Sequence, residues 1–147
     1  MQPVAGEAGC PLCLAAEEPA LWRDARCRVV LAGDADYPGF CRVVWQAHVR
    51  EMSDLAAADR AHLLAVVLAV EAALRDLLSP HKINLASLGN QVPHLHWHVI
   101  PRFTDDAHFP DAVWSARRRP GHPHSLDIPT LQARLSQIGA RSGFSGI

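Results

Sequence analysis

Three histidines alternate with apolar residues in the run His94-Leu95-His96-Trp97-His98-Val99-Ile100. Side chains of a strand alternate faces with a period of two, so His94, His96 and His98 are expected on one face and Leu95, Trp97 and Val99 on the other. Three imidazoles side by side serve no packing purpose, because each buried ring brings two nitrogens that need partners. Three readings compete: an exposed polar face that happens to be histidine, a three-histidine metal site of the kind that holds zinc, and nucleophilic catalysis at phosphorus. The metal reading lacks a nearby carboxylate; the next acidic residues downstream are Asp105 and Asp106. The nucleophilic reading is preferred. A neutral imidazole, with an unperturbed pKa of ~6.5, is a good nucleophile near neutral pH. It can attack phosphorus and give a phosphoramidate that water then cleaves. Its other nitrogen must be held in one tautomer, and donors must meet the phosphate oxygens as charge develops. A middle histidine flanked by two others meets both needs.

The elements that must position this run are legible from patterning. Residues 26–33 and 41–47 read as two strands joined by the turn-rich segment 34–40, an antiparallel pair. Apolar residues then recur at helical spacing: Leu63, Val66, Val67, Val70, Leu74, Leu77 and Leu78. Ser53 or Asp54 caps a short first turn, Ala58 or Asp59 starts the main run, and Ser79-Pro80 ends it. Residues 82–88 and 94–102 read as two more strands, with a tight connection at Gly89–Pro93. The remainder is rich in Pro, Gly and Arg until a short amphipathic helix near 129–138. The order predicts an α+β domain, an antiparallel sheet with one long helix packed on it. Residues 1–115 are expected to form the domain, with 116–147 a tail packed on it.

The chain has 147 residues, enough for one domain that folds without staples. Apolar residues make up 49% and charged residues 20%, and the formal net charge is −1, so bulk electrostatics offers no reason to expect nucleic-acid or acidic-membrane binding. The N-terminus lacks the basic start and apolar core of a signal peptide. The longest apolar stretch, from Leu63 to Leu78, is broken by Glu71, Arg75 and Asp76 and is no membrane span. A cytoplasmic protein is the default expectation. Of the four cysteines, Cys27 and Cys41 sit in strand-like apolar runs and read as buried small hydrophobes. Cys10 and Cys13 form a C-x-x-C pair, the spacing of half a tetrahedral zinc site. A redox pair is the rival, without a surrounding thioredoxin-like strand and helix.

The run from Gly89 through Arg102 (GNQVPHLHWHVIPR) resembles the signature of the histidine triad superfamily, in which alternating histidines are each followed by apolar residues. The C-x-x-C pair, the strand ending at His48 and the long helix match the family's order, so the resemblance covers roughly residues 10 to 115. It implies a histidine-triad fold and a nucleotide hydrolase or nucleotidyl transferase acting at an α-phosphate. The substrates it implies are dinucleoside polyphosphates, nucleoside phosphoramidates or nucleotidylated adducts. By the same resemblance His96 is the nucleophile that is transiently nucleotidylated, His98 contacts the phosphate and His94 supports the arrangement. A homodimer is implied, and no metal is needed for the chemistry. Some relatives hold structural zinc with the cysteine pair and two histidines that match His48 and His94.

Departures from the family pattern mark the substrate-binding candidates. Relatives carry glutamine four residues before the first histidine; here Asn90 stands there and Gln91 follows, and either can serve. Asp34 and Asp36 are both candidates for the acidic residue that binds ribose. Asn84 matches a nucleotide-facing polar residue, or else bonds its own backbone. Trp97 is bulky for its position. Trp114 either closes the pocket or packs the tail, and Arg117-Arg118-Arg119 either reach polyphosphate or a dimer partner, or form a solvated surface. Arg102 is open between a strand carbonyl and a phosphate. His62, His81, His108, His122 and His124 are given no role. Two alternatives remain: a nucleotide-binding regulatory protein with negligible turnover, which Asn90 keeps open, and a zinc hydrolase using the three histidines directly.

Overall fold

The computed structural model describes residues 7–138. Five strands form one antiparallel sheet: β1 (Trp22–Arg23), β2 (Cys27–Leu31), β3 (Cys41–Trp45), β4 (Lys82–Ala86) and β5 (His96–Arg102), in the order β1-β2-β3-β5-β4. The triad strand is therefore an inner strand, flanked by β3 and β4. A short helix α1 (Pro11–Leu14) precedes the sheet, the long helix α2 (Ala57–Leu78) joins β3 to β4, and α3 (Ile128–Leu135) closes the described chain. The α+β expectation holds. Three elements were too short to leave a periodic signal: α1, β1 and a 3-10 turn at Met52–Asp54. The cap of that turn is Glu51, paired reciprocally with Asp54, rather than Ser53 or Asp54 alone.

One face of the sheet packs on α2. Cys27, Val29, Cys41, Val43, Trp45, Ile83, Leu95 and Val99 meet Leu63, Val66, Val67, Val70 and Leu74, all buried. Fully burying a side chain of this size contributes about 1.5–3 kcal/mol. Cys27 and Cys41 lie here as expected, and Trp97 packs against the same core with its indole N–H donating to Met52 Sδ at 3.4 Å. Leu131, Leu135 and Ile138 join this core, so the amphipathic segment near 129–138 docks on α2 through its apolar side.

Helix ends follow local chemistry. Asp59 stands in the first turn of α2, where a negative charge complements the helix dipole. Ser79 takes the left-handed conformation at φ 47° and donates its N–H to Arg75 O, and Pro80 cannot continue the helix. Asp127 caps α3 by accepting from Thr130 N at 3.2 Å, with Pro129 in the first turn. His62 is buried on α2 and donates from Nε2 to Asp24 Oδ2 at 2.7 Å. Asp24 Oδ1 accepts from the N–H groups of Arg26 and Cys27, each at 2.8 Å, so one carboxylate shapes the β1–β2 turn and ties it to the helix. That gives His62 a structural place that spacing did not reveal.

Candidate active site and metal centre

The other face of the sheet carries the polar residues. Strand register sets His98 opposite Arg42 and His96 opposite Val44, with Ala86 on the far side of His98. His96 and His98 are 8% and 5% exposed, which removes the reading of an exposed polar face. Their rings meet edge-on with centroids 4.9 Å apart. Strand pairing begins at His96, two residues later than the patterning predicts. At His94 the chain turns: its N–H donates to Val92 O, while Leu95 N bonds Val49 O and Leu95 O accepts from Trp45 N.

His96 Nδ1 lies 2.5 Å from the carbonyl oxygen of His94. A carbonyl only accepts, so the proton of a neutral ring is on Nδ1 and Nε2 carries the lone pair. Burial lowers the His96 pKa; the His94 carbonyl opposes that shift and the charge of Arg42 adds to it. Burial, then His96 and Arg42, push His98 down to about 4. Both rings are therefore neutral at pH 7. Ser87 Oγ donates to His96 O at 2.8 Å and holds the strand from the β4 side. The rings of Trp114 and Phe40 pack edge-on against His98, with centroids at 5.0 and 5.6 Å. Trp114 thus reaches the triad from the segment that follows β5, and it stays half exposed.

His94 is fully buried and faces a different set of partners. Its Nδ1 lies 3.5 Å from Cys10 Sγ, 3.4 Å from Cys13 Sγ and 3.2 Å from His48 Nδ1, and His48 Nδ1 lies 3.3 Å from Cys13 Sγ. All four donor atoms are within 4.8 Å of one another. Each ring has its other nitrogen committed as a donor: His94 Nε2–H to Trp45 O at 2.6 Å, and His48 Nε2–H to Glu7 Oε2 at 2.6 Å. Two Nδ1 lone pairs therefore face each other, with only weak thiol donors nearby. A tetrahedral zinc shell has S–N edges of about 3.5 Å and N–N edges of about 3.3 Å, from bonds of ~2.3 and ~2.0 Å. The donor set fits zinc in type, number and spacing. Orienting a ligand histidine through a carboxylate or carbonyl is the usual accompaniment of such sites. Glu7 was missed by the sequence reading, because nothing in its local context marks it.

The remaining candidates fall into two groups. Asn90 and Gln91 are exposed on the loop before the triad and make no hydrogen bond among the described residues. Asp34 is exposed after β2, its Oδ1 accepting from Asp36 N at 2.9 Å, whereas Asp36 is ion-paired with Arg117. Asn84 and Arg102 are bound to each other: Arg102 donates to Asn84 Oδ1 at 2.7 Å, to both oxygens of Asp106 at 2.8 and 3.1 Å, and to Asp111 O at 2.7 Å. Asn84 does not bond its own backbone, and Arg102 serves the protein rather than a phosphate. Tyr37 hydroxyl donates to Asp106 at 3.0 Å and contacts His108 Nδ1 at 2.7 Å, which places His108 in the same knot. Arg118 pairs with Asp111 at 2.7 Å and Arg119 donates to Asp106 O at 2.6 Å. With Arg117 on Asp36, the run pairs with the domain, while Arg117 and Arg118 stay exposed as the solvated-surface reading expects.

A five-stranded antiparallel sheet crossed by one long helix, with a buried histidine pair on its open face beside a Cys2His2 cluster, is the arrangement of a histidine-triad domain. The model of the HIT domain family matches residues 15–105, and the chain belongs to that family. Among solved structures, a histidine triad protein from Marinobacter aquaeolei is 30% identical, with a TM-score of 0.70 over 85% of this chain and 93% of that one. A histidine triad protein from Bradyrhizobium japonicum is also 30% identical, with a TM-score of 0.64 over 83% and 88%. A zinc-bound histidine triad family protein from Mycobacterium smegmatis shares the fold at 23% identity, with a TM-score of 0.62 over 90% and 96%. An AP-4-A phosphorylase of Mycobacterium tuberculosis is 32% identical over 78 residues, 49% of this chain and 40% of that protein. The match thus spans well under half the length of that relative. No helix among the described residues is long and apolar enough to cross a membrane.

Proposed function

We propose that the protein is a nucleotide hydrolase or nucleotidyl transferase in which His96 Nε2 attacks the α-phosphorus of a nucleotide. The observation that carries this is the 2.5 Å hydrogen bond from His96 Nδ1–H to His94 O, which leaves Nε2 unprotonated and turned to the polar face. In the first step the P–N bond forms as the bond from phosphorus to the leaving group breaks, and the leaving group departs with the electron pair. In the second, water or another acceptor attacks the same phosphorus. The P–N bond breaks, its electrons return to Nε2, and the acceptor's proton is released. His98 contacts the phosphate, Asn90 or Gln91 reaches it from the loop, and Asp34 receives the ribose. Asn84 stands on the same sheet face as His98, two residues before the Ala86 that pairs with it, with its Oδ1 accepting from Arg102. Similarity to a protein named AP-4-A phosphorylase favours a dinucleoside polyphosphate over a phosphoramidate.

Cys10, Cys13, His48 and His94 would hold a structural zinc, whose chemistry is to crosslink the N-terminal segment to the triad strand. Four protein ligands leave no open position, which speaks against a zinc hydrolase. The cytoplasm and a homodimer complete the proposal, as does the assignment of residues 116–147 to the same domain as 1–115. Residues 1–6 and 139–147 lie outside the described part.

The test is turnover on adenosine phosphoramidate, diadenosine triphosphate and diadenosine tetraphosphate, each with and without inorganic phosphate, for wild type and His96→Ala. Turnover in the wild type that vanishes in the variant is expected. Equal activity in both proteins overturns the His96 mechanism. Nucleotide binding without turnover in either moves the assignment to a regulatory protein.

A further inference from the structure

Four arginines stand on the polar face of the sheet, and their partners differ; Arg23, opposite Arg28 at the sheet edge, is spent on Ala16 O and Glu18 O. Arg28 is buried and spent on Gln46 Oε1 at 2.9 Å and Leu12 O at 2.7 Å. Arg102 is buried and spent on Asp106, Asn84 and Asp111 O. Arg42 makes no hydrogen bond or ion pair among the described residues, and its Nε is buried without a partner. Register sets it directly opposite His98, with Val30 on its other side. Directly opposed residues have Cβ atoms about 4.5–5.5 Å apart, so the guanidinium arises beside the triad. Arg42 as a whole is half-buried, so the rest of its guanidinium can be reached from solvent, while the buried Nε has lost water without gaining a partner. His98 Nδ1 is likewise buried without a partner, on a ring that is 5% exposed.

We propose that Arg42 binds the anionic phosphate oxygens of the substrate, beside His96 and His98. This rests on the reading of that face as the phosphate site. Guanidinium is always charged and presents donors in a fork that matches phosphate. No carboxylate bonds Arg42 among the described residues, so its charge is available to a ligand. The chemical class this selects is a phosphate ester, with the uncharged nucleoside gaining nothing from it.

The experiment is calorimetric binding of AMP, adenosine and inorganic phosphate to wild type, Arg42→Gln and Arg42→Lys, with melting temperatures as the folding control. Arg42→Gln is expected to weaken AMP and phosphate by roughly tenfold or more, the range for a hydrogen bond to a charged group, while adenosine is unchanged. Arg42→Lys, which keeps charge without the fork, is expected between the two and covers the case in which Arg42→Gln does not fold. Equal AMP affinity in all three proteins overturns the role of Arg42 and leaves the nucleotide reading intact. A loss of adenosine and AMP affinity to the same degree also overturns it. A wild type that binds neither AMP nor phosphate overturns both.

Discussion

The backbone carbonyl of His94 sets the tautomer of His96, at 2.5 Å, while the side chain of His94 belongs to the Cys10-Cys13-His48 cluster. One residue therefore joins the Cys2His2 cluster to the proposed nucleophile, through its ring on one side and its peptide on the other. Nitrogen NMR of the imidazoles is expected to show His96 as the neutral Nδ1–H tautomer at pH 7. Removing the ring in His96→Ala is expected to lower kcat by at least roughly a thousandfold, as for other essential nucleophiles. A His96 found protonated on Nε2 would sink the assignment.

Zinc binding by Cys10, Cys13, His48 and His94, as proposed, predicts one zinc per chain by elemental analysis. Cys13→Ser is expected to lose most of it and to lower the melting temperature. Glu7→Gln, which takes the charge from the acceptor holding His48 Nε2–H, is expected to weaken zinc about 10–100-fold with the fold retained. Chelated protein that melts at the same temperature as untreated protein would count against a structural role for the metal.

Arg102 and Asp106 form a buried ion pair completed by the Phe103, His108 and Phe109 N–H groups and the Tyr37 hydroxyl. Its loss by Asp106→Asn strands a buried guanidinium and is expected to cost about 3–5 kcal/mol by chemical denaturation. Burial raises the Asp106 pKa, but Arg102 and the three backbone donors more than offset this and hold the carboxyl well below the usual range. A depressed folded-state pKa gives stability that is fully present above the unfolded value of ~3.9 and lost as pH falls below it. Wild type should therefore lose stability steeply below about pH 4, and Asp106→Asn should lose less over that window. Parallel acid curves would contradict this account.

Trp114 touches His98 edge-on and is otherwise half exposed, so it contributes little to the core. Trp114→Ala is expected to raise KM several-fold while changing stability by less than about 1 kcal/mol. A large drop in melting temperature with KM unchanged would make it a packing residue of the tail.

Gly121 has φ +79°, and a Cβ there would stand 2.9 Å from Ala107 N and 3.0 Å from Ala107 Cα. Both the backbone conformation and the space exclude a side chain. Gly121→Ala is expected to cost about 1–3 kcal/mol and to loosen the segment that carries Trp114, read as a lower melting temperature with a raised KM.

Patterning was enough for the long helix, the four longer strands, the core face of the triad strand and the α+β class, because each rests on a repeat within one segment. The triad itself was legible for the same reason: alternation along a strand is local. The half-site at Cys10 and Cys13 was visible from spacing, but its partners His48 and His94 came from the family resemblance and not from this chain's periodicity. Tertiary structure alone decided what those residues do together. It brought 81 residues of separation between Cys13 and His94 to 3.4 Å and turned His94 out of strand pairing. It also committed Arg28 and Arg102 to internal partners while leaving Arg42 without one. Glu7, Arg42 and the Arg102–Asp106 knot carry no local signature, because an arginine or carboxylate reads the same in sequence whether its partner is water, a backbone carbonyl or a ligand. Periodicity reports which side of an element is buried; only the packing of distant segments determines which buried polar groups are satisfied and which are left for a substrate.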